Sequence, residues 1–239
     1  MLCVGYFVTL YRGSDLGSFL FMNWGVKEHV AHISEKVLGA FIIWLGLMHL
    51  LNPNKILAWL LSMLFVSLLI VTLIVGGKHF AHWAVWTGAL KWASPWGLYF
   101  FANANKRDLI ALIKIATSIT FATHGMQALS LNPVFLDYIL LNPFLISSQS
   151  SAEVILKVIG LIDILVAFLL LFNYKPAFYW VVLWGFSIAL LRLIDGGIYN
   201  YPEFLLRVPY FSGILALMFI FKKQPSYRAN PWSEFGKIA

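Results

Sequence analysis

Six stretches that meet or approach 20 mostly apolar residues dominate this sequence: Ile33–Leu51, Ile56–Val75, Leu109–Leu131, Ala152–Phe172, Ala177–Ile194 and Leu205–Phe221. An α-helix needs about that length to cross a hydrocarbon core roughly 30 Å thick. Asn52-Pro53-Asn54 separates the first two runs, Gly76-Gly77 ends the second, Asn132-Pro133 ends the third and Lys175-Pro176 restarts the fifth. Of the 239 residues 61% are hydrophobic and 11% charged, against about a quarter charged in an average soluble domain. That leaves too few polar side chains to clothe a soluble surface of this size. The expected fold is all-α and integral to the membrane, a bundle of six transmembrane helices whose solvent is the lipid bilayer.

The remaining segments are shorter or more polar. Leu2–Leu10 lacks a preceding basic region and a following small-residue cleavage site, so it is not expected to be a signal peptide. Gly17–Val26 is too short to span, and its aromatics suit the headgroup level. Residues 78–106 mix Trp83, Trp86, Trp92 and Trp96 with Lys91, Pro95 and small residues. An interfacial or re-entrant segment fits that mixture, the alternative being a seventh span that moves one end of the chain across the bilayer. The expected organisation is an N-terminal interfacial segment (1–32), a two-helix unit with the aromatic segment (33–106), a four-helix bundle (107–222) and a cytoplasmic tail (223–239).

The net charge of +7 does not point to nucleic acid, because the basic residues fall between apolar runs rather than in one aromatic-interleaved patch. They act as orientation signals. With six spans, Arg12, Lys27, Lys78, Lys91, Lys106, Arg107, Lys175, Lys222, Lys223, Arg228 and Lys237 share one side, whereas the other has Lys55 and Arg207 in its connections and no basic residue in 132–151. Basic connections stay cytoplasmic, so both termini are expected inside, most simply at a bacterial cytoplasmic (inner) membrane. Cys3 is the single cysteine, which excludes an intramolecular disulfide.

Ionisable residues within spans are costly and usually face a bundle interior, a partner or water. The third run carries Lys114 and His124, the fourth Asp163, the fifth Arg192 and Asp195. Thr117, Thr120, His124 and Gln127 share one helical face at offsets 0, 3, 7 and 10. His124, Gln127, Asp163, Arg192, Asp195 and Tyr199, with Glu203 and Arg207 nearby, are therefore expected to form an outer polar pocket, and interhelical pairing is the alternative use of these groups. A second constellation on the inner side comprises Glu28, His29, His32, Glu35, His79 and His82. Imidazoles with carboxylates suit a transition metal, or haem, and interfacial histidines without a metal are the alternative. His49 and His124 are expected at similar depth, which permits a pair of axial haem ligands. Gly39, Gly46, Gly160 and Gly185 suit close helix approach. No phosphate-binding glycine loop, serine nucleophile elbow or zinc-protease helix motif is present.

Phe121-Ala122-Thr123-His124-Gly125-Met126-Gln127-Ala128-Leu129, the uncharged loop opening with Asn132-Pro133, and Gly160-Leu161-Ile162-Asp163 resemble the DoxX-like family of small four-helix membrane proteins, over residues 109–221 only. The resemblance carries over to His124, Gly125 and Asp163, with Asp where that family often has Glu. It implies an auxiliary membrane subunit of a redox or electron-transfer complex, associated with other membrane proteins, with a quinone or lipid site in the outer half. The alternatives are a metal- or haem-binding membrane oxidoreductase and a small proton-coupled transporter.

Overall fold

A computed structural model describes residues 1–75, 80–141 and 148–223, with the side chains of Asp195, Gly196 and Lys223 excepted. The helices are α1 (Leu2–Arg12), α2 (Asp15–Trp24), α3 (Glu28–Leu51), α4 (Lys55–Val75), α5 (Ala84–Thr87), α6 (Ala89–Ala102), α7 (Lys106–Leu129), α8 (Pro133–Leu140), α9 (Gln149–Leu171), α10 (Lys175–Gly196) and α11 (Tyr201–Lys223). No strand occurs among the described residues. Six helices, α3, α4, α7, α9, α10 and α11, are long and apolar enough to cross a membrane. The protein is an integral membrane protein.

Periodicity decides which side of each helix meets lipid. On α9, Val154, Val158, Leu161, Leu165 and Phe168 are exposed, while Ala152, Leu156, Gly160, Asp163, Ala167 and Leu170 are buried. Both sets recur every three to four residues, so one stripe faces lipid and the other faces protein. The most enclosed helix is α7, with 56% of its apolar window buried against 33% or less for the others. Its buried side includes Lys114, Thr117, Ser118, Thr120, Thr123 and Gln127. Thr117 and Thr123 donate back to the Ile113 and Ile119 carbonyls at 2.6 and 2.7 Å. Ser118 donates across to the Ala167 carbonyl at 2.8 Å, and Lys114 Nζ to the Leu171 carbonyl at the end of α9 at 2.9 Å. Polar groups in lipid must be satisfied within the protein, which explains why the least apolar run became the centre.

One apolar cluster unites α7, α9, α10 and α11 through Phe121, Val166, Leu170, Val181, Ile214 and Leu217. Another unites α1, α3 and α4 with Leu206 of α11. Helix α1 lies antiparallel to α3: Cys3 packs at Gly46 and Phe7 at Gly39.

Residues 84–102, expected as an interfacial or re-entrant segment, pack between α4 and α7. Going up the chain, Gly88 meets Leu69, Trp92 O accepts from Ser62 Oγ at 2.7 Å, and Pro95 O accepts from His49 Nε2 at 2.9 Å. On the other flank Leu90 N donates to Thr120 Oγ1 at 3.4 Å and Gly97 approaches Leu109. Rising numbers on α5–α6 meet falling numbers on both α4 and α7, so the segment runs antiparallel to both. At about 1.5 Å per residue it covers roughly 28 Å, nearly a full crossing. Its broken backbone is tolerated because protein surrounds it. Pro95 cannot donate to the Lys91 carbonyl, and Ser94 Oγ donates there instead at 2.9 Å. At the α5–α6 junction, Tyr210 donates to the Thr87 carbonyl at 3.0 Å.

This course sets the two ends of the bundle. One, here the cavity end, gathers the start of α3, the ends of α4, α7 and α10, and the starts of α9 and α11. The other, the lysine end, gathers the end of α3, the starts of α4, α7 and α10, and the ends of α9 and α11. The start of α3 and the end of α11 therefore lie at opposite ends, and α1 runs back beside α3 so that Cys3 sits at Gly46. The tail 224–239 and His79 lie outside the described residues.

Candidate functional site

Two adjoining cavities open within the cavity-end half. The first, of about 700 Å³, is framed by α7, α8, α9, α10 and α11 and is lined by His124, Gln127, Asp163, Arg192, Glu203 and Arg207 together with many aliphatic and aromatic side chains. That volume falls in the range of about 300–1,000 Å³ usual for small-molecule sites. His124 projects from α7 between the rings of Phe135 on α8 and Tyr210 on α11, with centroids 5.8 and 5.7 Å away. Its Nε2 is buried and has no hydrogen-bond partner. A buried ring nitrogen left unpaired carries a desolvation cost that a ligand donor or acceptor would recover.

The other groups are already positioned. Asp163 Oδ1 accepts from Trp180 Nε1 at 3.4 Å. The Arg192 guanidinium lies 4.1 Å from the centroid of the Tyr138 ring, a cation–π geometry. Arg207 Nη1 donates to both the carbonyl and the carboxylate of Glu203, one turn back on α11. Asn132 caps α8 by accepting from Val134 N, and its side chain lines the same cavity.

Of the six residues expected in an outer pocket, four share this cavity: His124, Gln127, Asp163 and Arg192. Tyr199 does not; it is 77% exposed, and its carbonyl accepts from Arg12. The side chain of Asp195 lies outside the described residues. Tyr138, Trp184 and Tyr210 also line this cavity without having been expected there, and Glu203 and Arg207, expected only nearby, belong to its wall. The i, i+4 spacing of Glu203 and Arg207 was the available signal that both belong to a helix.

The second cavity, of about 1,270 Å³, is walled by α1, α2, α3, α4 and α11 and takes in Arg12, Asp15, His29, His32, Glu35 and Lys91. Glu35 is only 2% exposed. Its Oε1 accepts from Ser14 N, Ser14 Oγ and Gly17 N at 2.7, 2.6 and 2.9 Å, and His32 Nδ1 lies 3.6 Å from Oε2. Glu35 thereby pins the α1–α2 turn to α3. Glu35→Ala is expected to cost about 2–3 kcal/mol, the scale of hydrogen bonds to charged groups, and to speed tryptic cleavage at Arg12. Unchanged cleavage kinetics in folded protein would remove this role.

Three of the four histidines singled out for metal are described. His29 and His32 line the second cavity, whereas His82 is exposed and packs on Phe80 and Trp83. Among the described residues no group of three or more His, Cys, Asp or Glu could hold a metal ion. The pairing of His49 with His124 as axial ligands is corrected. His49 lies at the lysine end and His124 at the cavity end. A carbonyl can only accept, so His49 Nε2 carries the proton in its bond to Pro95 O.

The expected separation into an outer and an inner site is also overturned. Both cavities open at the cavity end and share Thr72, Ala84, Thr87, Glu203 and Arg207. The odd crossing by α5–α6 is the cause, because it puts the end of α7 at the same level as the start of α3. Comparison with protein-family models, curated proteins and solved structures gives no match.

Proposed function

We propose that this protein binds a membrane-soluble amphiphile in the His124 cavity and serves as an auxiliary membrane subunit of a redox or electron-transfer complex. The largely apolar cavity of about 700 Å³, lined by His124 whose buried Nε2 has no partner, carries the binding half of this reading. Apolar walls with a few convergent polar groups suit a ligand that is part hydrocarbon and part hydrogen-bonding head, and quinone and lipid heads both meet that description. The redox half draws support from the resemblance to DoxX-like proteins at His124, Gly125 and Asp163.

Orientation follows from charge. In the described connections Lys55, Lys106, Arg107, Lys175 and Lys222 at the lysine end outnumber Arg12 and Lys27 at the cavity end, and the positive-inside preference then assigns the lysine end to the cytoplasm, of a bacterial inner membrane in this reading. The amphiphile cavity then opens on the outer side.

Native mass spectrometry of protein released from lipid nanodiscs is the test. Wild-type protein should retain a bound amphiphile, and His124→Ala should lower its occupancy at least tenfold, about 1.4 kcal/mol, while keeping the same elution volume. A wild-type protein that carries no amphiphile would end the binding reading. Gentle solubilisation should also recover other membrane proteins with the chain; recovery of the chain alone would end the redox-subunit reading.

A further inference from the structure

The two cavities meet at α11. Glu203 and Arg207 line both, with Thr72 and Thr87 completing the junction. Lys91 approaches from the larger cavity and Arg192 from the smaller. Both, with Arg207, act electrostatically on Glu203 and on His124, so three cations face two carboxylates among the described residues, Glu203 and, beside Thr72, Asp15. Arg207 is only 17% exposed, and its hydrogen bonds all run through Nη1. The guanidinium therefore keeps donors beyond those it spends on Glu203.

The remaining charges are arranged around this centre. Glu28 and Glu35 also line the larger cavity, and Asp15 reaches the junction, where its Oδ2 accepts from Thr72 Oγ1 at 2.8 Å. On the other side of the junction the smaller cavity is walled by Phe121, Ile139, Leu156, Ile159 and Ile188. Hydrocarbon is at home there. An arginine fork matches phosphate oxygens in a bidentate manner that a neutral carbonyl cannot use.

We infer that the two cavities form a single bipartite site for an amphiphile with a phosphate-bearing head: the chain fills the His124 cavity, and the phosphate sits at the Arg207–Lys91–Arg192 junction and faces the larger cavity. This rests on the amphiphile reading above and selects among its ligands, favouring a phospholipid-like molecule over a neutral quinone.

Purified protein titrated with three probes separates the possibilities, with Trp184 of the smaller cavity as the fluorescent reporter. Dioctanoyl phosphatidate carries head and chains, dioctanoylglycerol chains only, and inorganic phosphate the head only. Phosphatidate should bind at least tenfold more tightly than either of the others. Arg207→Gln, and independently Lys91→Gln, should bring the phosphatidate to diacylglycerol affinity ratio close to one. Should one variant fail to fold, the other carries the test. Equal affinity of wild-type protein for phosphatidate and diacylglycerol would overturn the phosphate assignment while leaving the amphiphile reading intact. Phosphate alone binding as tightly as phosphatidate would overturn it in favour of a free anion. Binding of none of the three probes would overturn the bipartite site, and the amphiphile reading would then stand or fall with the ligand retained in native mass spectrometry.

Discussion

In a Cys3→Ser background, a cysteine at Asn52 and one at Asn103 are expected to react with a membrane-impermeant maleimide from the same side of sealed vesicles. A cysteine at Ser130 or Asn23 should react only from the other. All four positions are exposed. Asn52 follows α3 and Asn103 follows α6, both at the lysine end, whereas Ser130 follows α7 and Asn23 lies in α2 at the cavity end. The contrast is all-or-none, because an impermeant reagent reaches one face only. If residues 84–102 returned to the face they left, Asn52 and Asn103 would label from opposite sides, and the shared opening of the two cavities would go with them. The antiparallel pairs of Ser62 with Trp92 and Leu90 with Thr120 are the physical basis for the expectation.

Substitution of Gly125 is expected to have the largest effect on folding. A Cβ there would lie 2.7 Å from the Gly160 carbonyl oxygen and 3.1 Å from Ile164 N, and one on Gly160 would lie 2.7 Å from the Gly125 oxygen and 3.0 Å from Leu129 N. The opposing atoms are backbone, so no side-chain rotation relieves the clash, and α7 and α9 must separate. In lipid this contact relies on close backbone approach rather than on a hydrophobic drive. Gly125→Ala should cost about 1–3 kcal/mol, the usual scale of overpacking, and Gly125→Leu should abolish the monodisperse folded peak in size-exclusion chromatography. The separation also displaces His124, one residue away, so ligand retention should fall with stability. Gly97→Ala is the control, since its Cβ would meet only Leu109, at 3.9 Å, and a change within about 0.5 kcal/mol is expected. Equal behaviour of Gly97→Ala and Gly125→Ala in thermal unfolding would show that the crossing is not tightly packed.

The sequence readily yields the six long helices. Ile33–Leu51 became Glu28–Leu51 and Ile56–Val75 became Lys55–Val75, the differences being polar first turns that a hydropathy pattern omits. The face of α7 carrying His124 and Gln127 followed from the helical period, and both side chains reach one cavity. That Asp163 and Arg192 join them required the fold, because position along a helix fixes depth but not rotation about its axis. Tyr199 shows the same gap from the other side, since it has suitable chemistry and depth and yet points away.

Length and apolarity by themselves determined that this chain lives in a membrane, because those runs have no other solvent. The course of residues 84–102 was decided only by the tertiary structure. Hydropathy judges each segment as though lipid surrounded it, and Lys91, Pro95 and the tryptophans make this one a poor match to lipid. In the bundle its neighbours are α4, α7 and α11, whose Ser62, Thr120 and Tyr210 pair with its irregular backbone. That one added pass reversed every later helix relative to α3, and it brought His124 and the Glu35 cavity, far apart in the chain, to the same end of the protein.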